Sequence, residues 1–385
     1  MISVEPDPGH ADAGRNEHKN KESCTAQGRF LGDGPFFDCK AKFCIGDEMP
    51  VLADIGEFGF IERIRAQGLT RPERVFLSIG DDAAAFWSDG HKLTLVTTDL
   101  LVERVHFVRK AQSGFSLGHK AMAVNMSDIA AMGGTAREGF VSIAIPEDCS
   151  LQYLDELYQG VHDICSRFGV NILGGDTTGS RQDLVINVAL TGEVSKEEIL
   201  IRKGARPGDV ICTTGYLGDS RAGLHLVVND IPRSNEYLKY LFQSHIAPWP
   251  CLREGRFLAA SQMVSAAMDI SDGLSSDLAH MCKASGTGAR INASSLPLSP
   301  ELLCFCADKK ADAVDWALSG GEDYTLLFTV RPQNLSSLIQ DYEREFGAPF
   351  AVIGEMTQGN DQVLIEASGE ERPLSATGWD HFRGQ

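Results

Sequence analysis

GHKAMAVNMSDIAAMG, residues 118–133, is a predicted helix written largely in Ala and Met, with one carboxylate, Asp128, inside it. Asn125 lies three residues earlier on the same face. An unpaired carboxylate on a buried helix face costs on the order of several kcal/mol. No Lys or Arg stands three or four residues away to neutralise it. Two readings are open, a metal ligand or a stripe turned to the surface, and the metal ligand is preferred.

Working outward, residues 92–98 predict a strand ending at Asp99, and residues 74–79 another ended by Gly80-Asp81-Asp82. A helix runs from Gly56 through about Gln67. Downstream come a strand over 141–145 closed by Pro146, a helix over 151–168, a short strand over 170–173 before Gly174-Gly175-Asp176, and a longer strand over 184–194. Strands and helices mix without regular βαβ alternation, which predicts an α+β layer fold. Arg206-Pro207-Gly208-Asp209 is a turn signal. The expected domains are therefore 52–195 and 196–385. The second holds strands over 210–214, 264–270 and 324–330, and a helix over 272–284 with Gly286 as its C-cap. Residues 1–51 lack a sustained period. They read as a disordered extension, or as sequence upstream of an alternative start at Met49; an accessory domain around Phe36, Phe37 and Phe43 is the other reading.

The 385 residues carry 35 basic and 53 acidic side chains, a net charge of −18. That balance argues against a nucleic-acid groove. It does not exclude an anionic ligand, provided divalent cations intervene. No apolar run is long enough to span a bilayer and the N-terminus has no signal-peptide core, so a cytoplasmic location is expected. The ten cysteines include no C-x-x-C pair, which fits reduced thiols and disfavours zinc.

The informative pattern is where the aspartates fall. Asp81 and Asp82, Asp99, Asp176, and Asp269 with Asp272 each sit at the end of a predicted strand, beside Gly, Ser or Thr. Strand ends deliver side chains to one sheet edge, where ligands bind. Converging carboxylates repel one another, and hard divalent cations such as Mg²⁺ remove the conflict. Any one of these acids could instead be a turn former or an N-cap. Gly174-Gly175 and Gly320-Gly321 let backbone approach a phosphate, and Ser271-Asp272-Gly273 opens a helix whose N-terminus favours an anion. The chain has no G-x-x-x-x-G-K-[ST]. Its G-x-S-x-G match at 114–118 follows poor strand material, which disfavours a nucleophile elbow.

With these segments in view the chain resembles the bacterial thiamine-monophosphate kinase family, within the aminoimidazole ribonucleotide synthetase superfamily. The resemblance rests on SIGDDAAAF (78–86), TTDLLVERVHF (97–107), GHKAMAVNMSDIAAMG (118–133), GGDTTGS (174–180), RKGARPGD (202–209), TGYLGDSRAGL (214–224), MDISDGLSSDL (268–278), ALSGGEDYTLLFTV (317–330) and GWDHF (378–382). GDDAA, SGGEDY and WDHF favour this family over a related synthetase acting on a purine intermediate or on selenide, the alternative reading. The resemblance implies that Asp82, Thr97, Thr98, Asp99, Asp128, Asp176, Asp269 and Asp272 hold several Mg²⁺ ions. It implies that Tyr158, Gly175, Asp176, Arg202 and Ser271 contact ATP, and that His106, Glu322 and Trp379 contact thiamine monophosphate. His106 as a core histidine and Trp379 as domain packing are the plainer alternatives. It further implies a homodimer whose N-terminal sheets pair across the interface, and a C-terminal α/β domain. Arg104, Arg137 and His119 depart from the family's usual residues. The implied acceptor is a phosphate oxygen, ionised at neutral pH, so no general base is expected and transfer is direct.

Overall fold

The computed structural model describes residues 51–65 and 68–375. The reading of residues 1–50 as an extension, and the substrate role of Trp379, lie outside the described residues. The first part of the chain contributes α1 (Leu52–Arg65, kinked at Gly56), β1 (Val75–Leu77), β2 (Ala84–Trp87), β3 (Lys92–Val102), α2 (Gly114–Ala131), β4 (Thr135–Pro146), α3 (Leu151–Phe168), β5 (Asn171–Ser180) and β6 (Val185–Ser195). The second contributes β7 (Val210–Thr213), α4 (Asp219–Val228), α5 (Glu236–Ile246), α6 (Leu252–Ser261), β8 (Val264–Asp269), α7 (Leu274–Ser285), β9 (Gly288–Asn292), α8 (Pro300–Lys309), α9 (Ala313–Ser319), β10 (Leu326–Val330), α10 (Pro332–Phe346), β11 (Ala351–Thr357), β12 (Gln362–Ile365) and β13 (Glu371–Pro373). The strands form two mixed sheets, one in the order β1-β2-β3-β6-β4-β5 and the other β13-β12-β9-β11-β7-β10-β8. This is the α+β arrangement that the pattern predicted.

Local chemistry explains the boundaries of the long helices. Ser113 Oγ caps α2 by accepting from the Ser116 N–H at 3.2 Å, and Ser150 Oγ does the same for α3 from Tyr153. Gly169, at φ 70°, ends α3 with its N–H on the Cys165 carbonyl. The helix predicted over 151–168 is α3 itself. The helix predicted from 118 starts four residues earlier, at the capped Gly114.

Helix α2 is buried nearly all round. It lies against β3 and β6 of the first sheet, against α3 and α6, and against β8 of the second sheet. Leu117, Met122, Met126 and Ile129 are fully buried in this core, each worth about 1.5–3 kcal/mol of transfer free energy. The Ala and Met content follows from this position: small residues admit close neighbours, and Met fills irregular gaps. A helix so enclosed carries its side chains on a rigid support.

Two expectations about strands change. The strand from Lys92 does not stop at Asp99; β3 continues to Val102, with Asp99 paired in register with Val188 of β6. Likewise Gly174-Gly175-Asp176 is not a turn. These residues run within β5, in parallel register with Phe140, Val141 and Ser142 of β4. A Cβ on Gly175 would stand 1.7 Å from the Val141 carbonyl oxygen. That glycine is required by the close approach of β4 and β5.

Candidate active site

Three carboxylates from distant parts of the chain meet. Asp82 follows β1, Asp128 projects from α2 and Asp269 ends β8. One oxygen of each lies within 4.8 Å of the other two. Their neighbours orient them. Thr97, inward-facing on β3, donates its hydroxyl to Asp128 Oδ2. The Ser127 hydroxyl donates to Asp269 Oδ2 at 2.6 Å. The Arg202 guanidinium pairs with Asp82 Oδ1, with Nε at 3.1 Å, while the Arg202 N–H reaches the Asp81 carboxylate at 3.3 Å.

This grouping is electrostatically unsatisfied. Burial, reinforced by Asp99, Asp269 and Asp82, pushes Asp128 well above the usual carboxylate range. Burial and the neighbouring Asp82 raise Asp269 to about 8, and burial raises Asp99 to about 6. Asp82 Oδ2 is buried without a hydrogen-bond partner, which is costly in a folded protein. An all-oxygen donor set with excess negative charge and an orphaned buried oxygen fits a hard divalent cation such as Mg²⁺.

The cost appears as a pH dependence. A carboxyl whose folded pKa is raised binds its proton more tightly folded than unfolded, so stability is lost as pH rises through that range. Metal-free protein is therefore expected to melt progressively lower from about pH 4 to about pH 8, the span from the ordinary carboxyl value of 3.8 to that of Asp269. Millimolar Mg²⁺ should flatten the slope. Thermal melts across this range in EDTA and in Mg²⁺ measure it; parallel curves would contradict the grouping.

Beside these acids is a cavity of about 410 Å³. Asp99, Asp128, Asp269, Ser271 and Asp272 line it, with His106, Glu322 and the apolar Val105, Leu224 and Val228. His106 Nδ1 accepts the Val102 N–H at 3.0 Å, which fixes the ring. The Ser271-Asp272-Gly273 turn is held from below. Asp277, nearly fully buried on α7, accepts the N–H groups of Asp272 and Gly273 at 3.1 Å each. Gly273 sits at φ 108°, which only glycine adopts readily. Glu322 is held too: Lys120 Nζ is 2.7 Å from one oxygen and His245 Nδ1 3.2 Å from the other.

Other predicted residues fall elsewhere. Thr98 alternates to the outer side of β3, where its hydroxyl accepts from Asn187 at 2.9 Å. Asp176 is exposed on β5, beside Gly175. Tyr158 packs from α3 against the core. Arg202 engages Asp82 and Asp81. Among the departures, Arg104 stands where Gly or Ala is usual in the family, at φ 67°, and its guanidinium pairs with Asp183 at 2.6 Å. His119 packs on Trp249 with Nε2 2.9 Å from the Pro248 carbonyl oxygen, a structural role.

Sequence reading missed Lys120, His245, Ser127 and Asp277. Lys120 left one signal: a lone cation within the apolar helix GHKAMAVNM, with no acid three or four residues away. Its partner had to come from elsewhere in the fold.

Comparison with known proteins shows the family. Residues 80–194 match the family model of the AIR synthase related protein, N-terminal domain, and residues 206–366 that of the C-terminal domain. Thiamine-monophosphate kinase of Escherichia coli K12 is 36% identical over 332 residues, 85% of this chain and 98% of that protein. The chain belongs to the thiamine-monophosphate kinase family. The Aquifex aeolicus member is 34% identical over 331 residues, spanning 86% of this chain and 99% of that one. A solved structure described as AaThiL complexed with AMPPCP and TMP superposes with a TM-score of 0.76, at 32% identity and covering 87% of this chain and all of that one. The hydrogenase maturation protein HypE in complex with ATP, at 18% identity and a TM-score of 0.63, covers 85% of this chain and 98% of its own; it shares the fold alone.

Proposed function

We propose that this chain transfers the γ-phosphoryl group of ATP directly to the phosphate of thiamine monophosphate, forming thiamine diphosphate. The observation that carries the reading is the convergence of Asp82, Asp128 and Asp269 beside a cavity that also contains Glu322 and His106. Family membership supports it, as does the related structure bound to an ATP analogue and TMP.

The physical problem is to bring two anionic phosphates into line. Bound at Asp82, Asp99, Asp128, Asp269 and Asp272, with Thr97 supporting Asp128, Mg²⁺ would supply neutralisation of phosphate charge. Family resemblance adds Thr98 and Asp176 to the ligand set, although the Thr98 hydroxyl faces the outer side of β3 and Asp176 is exposed on β5. The chain's own groups then orient the reactants. Ser271 and the Asp272-Gly273 turn offer a rigid edge at the head of α7, where an anion is favoured. Tyr158, Gly175, Asp176 and Arg202 are assigned to ATP; Arg202 keeps Asp82 aimed while doing so. His106, Glu322 and Trp379 are assigned to the acceptor. Its attacking oxygen is already ionised, so no residue is needed as general base. Positioning and charge are the whole of catalysis here.

The organisation around this site is proposed as follows. The domains divide at residues 195 and 196. The protein is a cytoplasmic homodimer. No helix among the described residues is long and apolar enough to cross a membrane. Edge strand β5 is exposed along nearly its whole length, with Leu173 61% exposed, and Leu100 and Phe140 are exposed on the same sheet. Unpaired edges and apolar sheet faces invite a partner.

The test is an ADP-release assay with thiamine monophosphate, or thiamine, as acceptor. Turnover is expected with the monophosphate and is expected to be at least about 100-fold slower with thiamine, whose hydroxyl would need a base. Equal rates, or ADP release indifferent to acceptor, would overturn the reading.

A further inference from the structure

Among the described residues, Lys120 heads the fully buried side chains by size, at 1% exposure. Burying an ammonium costs several kcal/mol, on the order of what a lost partner costs, unless it is paired. Its partner is Glu322, at 2.7 Å. Packing alone would be met by Met at that position, so the charge has another purpose.

Glu322 is the better clue. It keeps 26% of its side-chain surface, at the cavity wall, although Lys120 is enclosed. Its backbone is left-handed at φ 64°, as is that of Tyr324 at φ 51°. Non-glycine residues pay about 1–3 kcal/mol each for sparsely populated conformations, and these persist where surroundings over-determine them. Here the surroundings are explicit. The Glu322 N–H donates to the Ser271 carbonyl at 2.7 Å, and the Tyr324 N–H to that of Ile270 at 2.9 Å. Between them, Asp323 accepts from the N–H of Gly218 at 2.8 Å and of Ser220 at 3.4 Å. Burial works against ionisation of Glu322, but the charge of Lys120 prevails and holds it below the usual carboxylate range. His245 itself is kept neutral, pushed to about 3 by burial and by Lys120.

The helix supplies the rest. Lys120, Val124 and Asp128 stand at i, i+4 and i+8, along one ridge of α2. Val124 and Asp128 line the cavity, and Lys120 reaches it through Glu322. One enclosed helix therefore carries both a metal-site carboxylate and the anchor of a second carboxylate.

We propose that Lys120 is a positioning residue for the acceptor: from the α2 ridge it fixes the Glu322 carboxylate relative to Asp128, so that Glu322 receives the cationic, ring-bearing part of thiamine monophosphate while its phosphate faces the Asp cluster. This rests on the kinase reading above. The α2 ridge acts as a ruler between the two ends of the acceptor.

The experiment is a double-mutant cycle of Lys120→Met and Glu322→Gln, following KM separately for thiamine monophosphate and ATP. Wild-type activity toward thiamine monophosphate is measured first; its absence would refute the kinase reading and not this assignment. With wild type active, Lys120→Met is expected to raise KM for thiamine monophosphate about tenfold or more, with KM for ATP changed less than about threefold. In the Glu322→Gln background the same change is expected to add less than about threefold, because the group it positions is gone. Equal rises for both substrates, or effects that multiply in the double variant, would overturn the assignment. Should Lys120→Met fail to fold, the double variant carries no unpaired buried charge. Its comparison with Glu322→Gln alone then decides, and a further tenfold rise would refute the proposal.

Discussion

Asp128→Asn is expected to lower turnover with thiamine monophosphate by on the order of 10³-fold, about 4 kcal/mol of transition-state stabilisation. The replacement is nearly isosteric, and an amide still accepts from the Thr97 hydroxyl. The change removes the charge and turns one acceptor oxygen into an NH₂ donor. Asp128 lies within reach of both Asp82 and Asp269, and without its charge the group loses the negative field that would retain a divalent cation. The fold should gain from the same change. In metal-free protein near neutral pH, the variant is expected to melt at or above the wild-type temperature, since a carboxyl pushed well above its usual range no longer opposes burial. Loss of activity together with unchanged or higher metal-free stability separates a ligand from a structural residue. A variant retaining more than about a tenth of wild-type turnover at limiting Mg²⁺ would contradict the role.

The second large effect is on the fold that carries this residue. Gly118→Val is expected to destabilise the protein by about 3 kcal/mol or more. A Cβ at Gly118 would lie 1.9 Å from the Leu157 carbonyl oxygen, one at Gly114 2.1 Å from that of Tyr153, and one at Gly160 2.0 Å from that of Phe115. Helices α2 and α3 thus touch backbone to backbone along a seam of three glycines. A side chain cannot bend away from a backbone oxygen on a neighbouring helix; the helices must part. Separation would loosen Leu117, Leu157, Val161 and Ile164, all fully buried, and tilt the ridge bearing Lys120 and Asp128. With about 2.1 cal/mol/K of unfolding entropy per residue, a loss of 3 kcal/mol lowers the melting temperature of a chain of this size by roughly 4 °C. Thermal melts in Mg²⁺ measure it, with Gly90→Ala, which meets nothing within 4 Å, as control. An unchanged melting temperature for Gly118→Val would show that the seam is looser than the backbone positions indicate.

This seam bears on what was legible in the sequence. Gly114 and Gly118 are the glycines of the G-x-S-x-G match. Sequence grounds disfavoured a nucleophile elbow, but the positive reason for both glycines needed α3 to be in place. The same limit governs the site. Asp82, Asp128 and Asp269 were legible because each breaks a local rule: a carboxylate in an Ala/Met helix, or acids beside Gly and Ser after apolar runs. Helix α3 was legible to the residue because its cap and its terminal glycine are local signals. Lys120 with Glu322, and Asp277 beneath the Ser271-Asp272-Gly273 turn, were not. Those pairs form between elements distant in sequence or through backbone N–H groups, and no periodicity records them. Strand β5 was misjudged because Gly-Gly reads as a turn wherever the neighbouring backbone is unknown; only β4, pressed against Gly175, shows otherwise.

Anomalous scattering reads most directly whether carboxylates far apart in the chain gather around shared cations. Crystals grown with Mn²⁺, a non-hydrolysable ATP analogue and thiamine monophosphate are expected to show anomalous peaks about 2.1 Å from carboxylate oxygens of Asp82, Asp128 and Asp269. Full nucleotide occupancy with no peak within about 4 Å of those three carboxylates would contradict it.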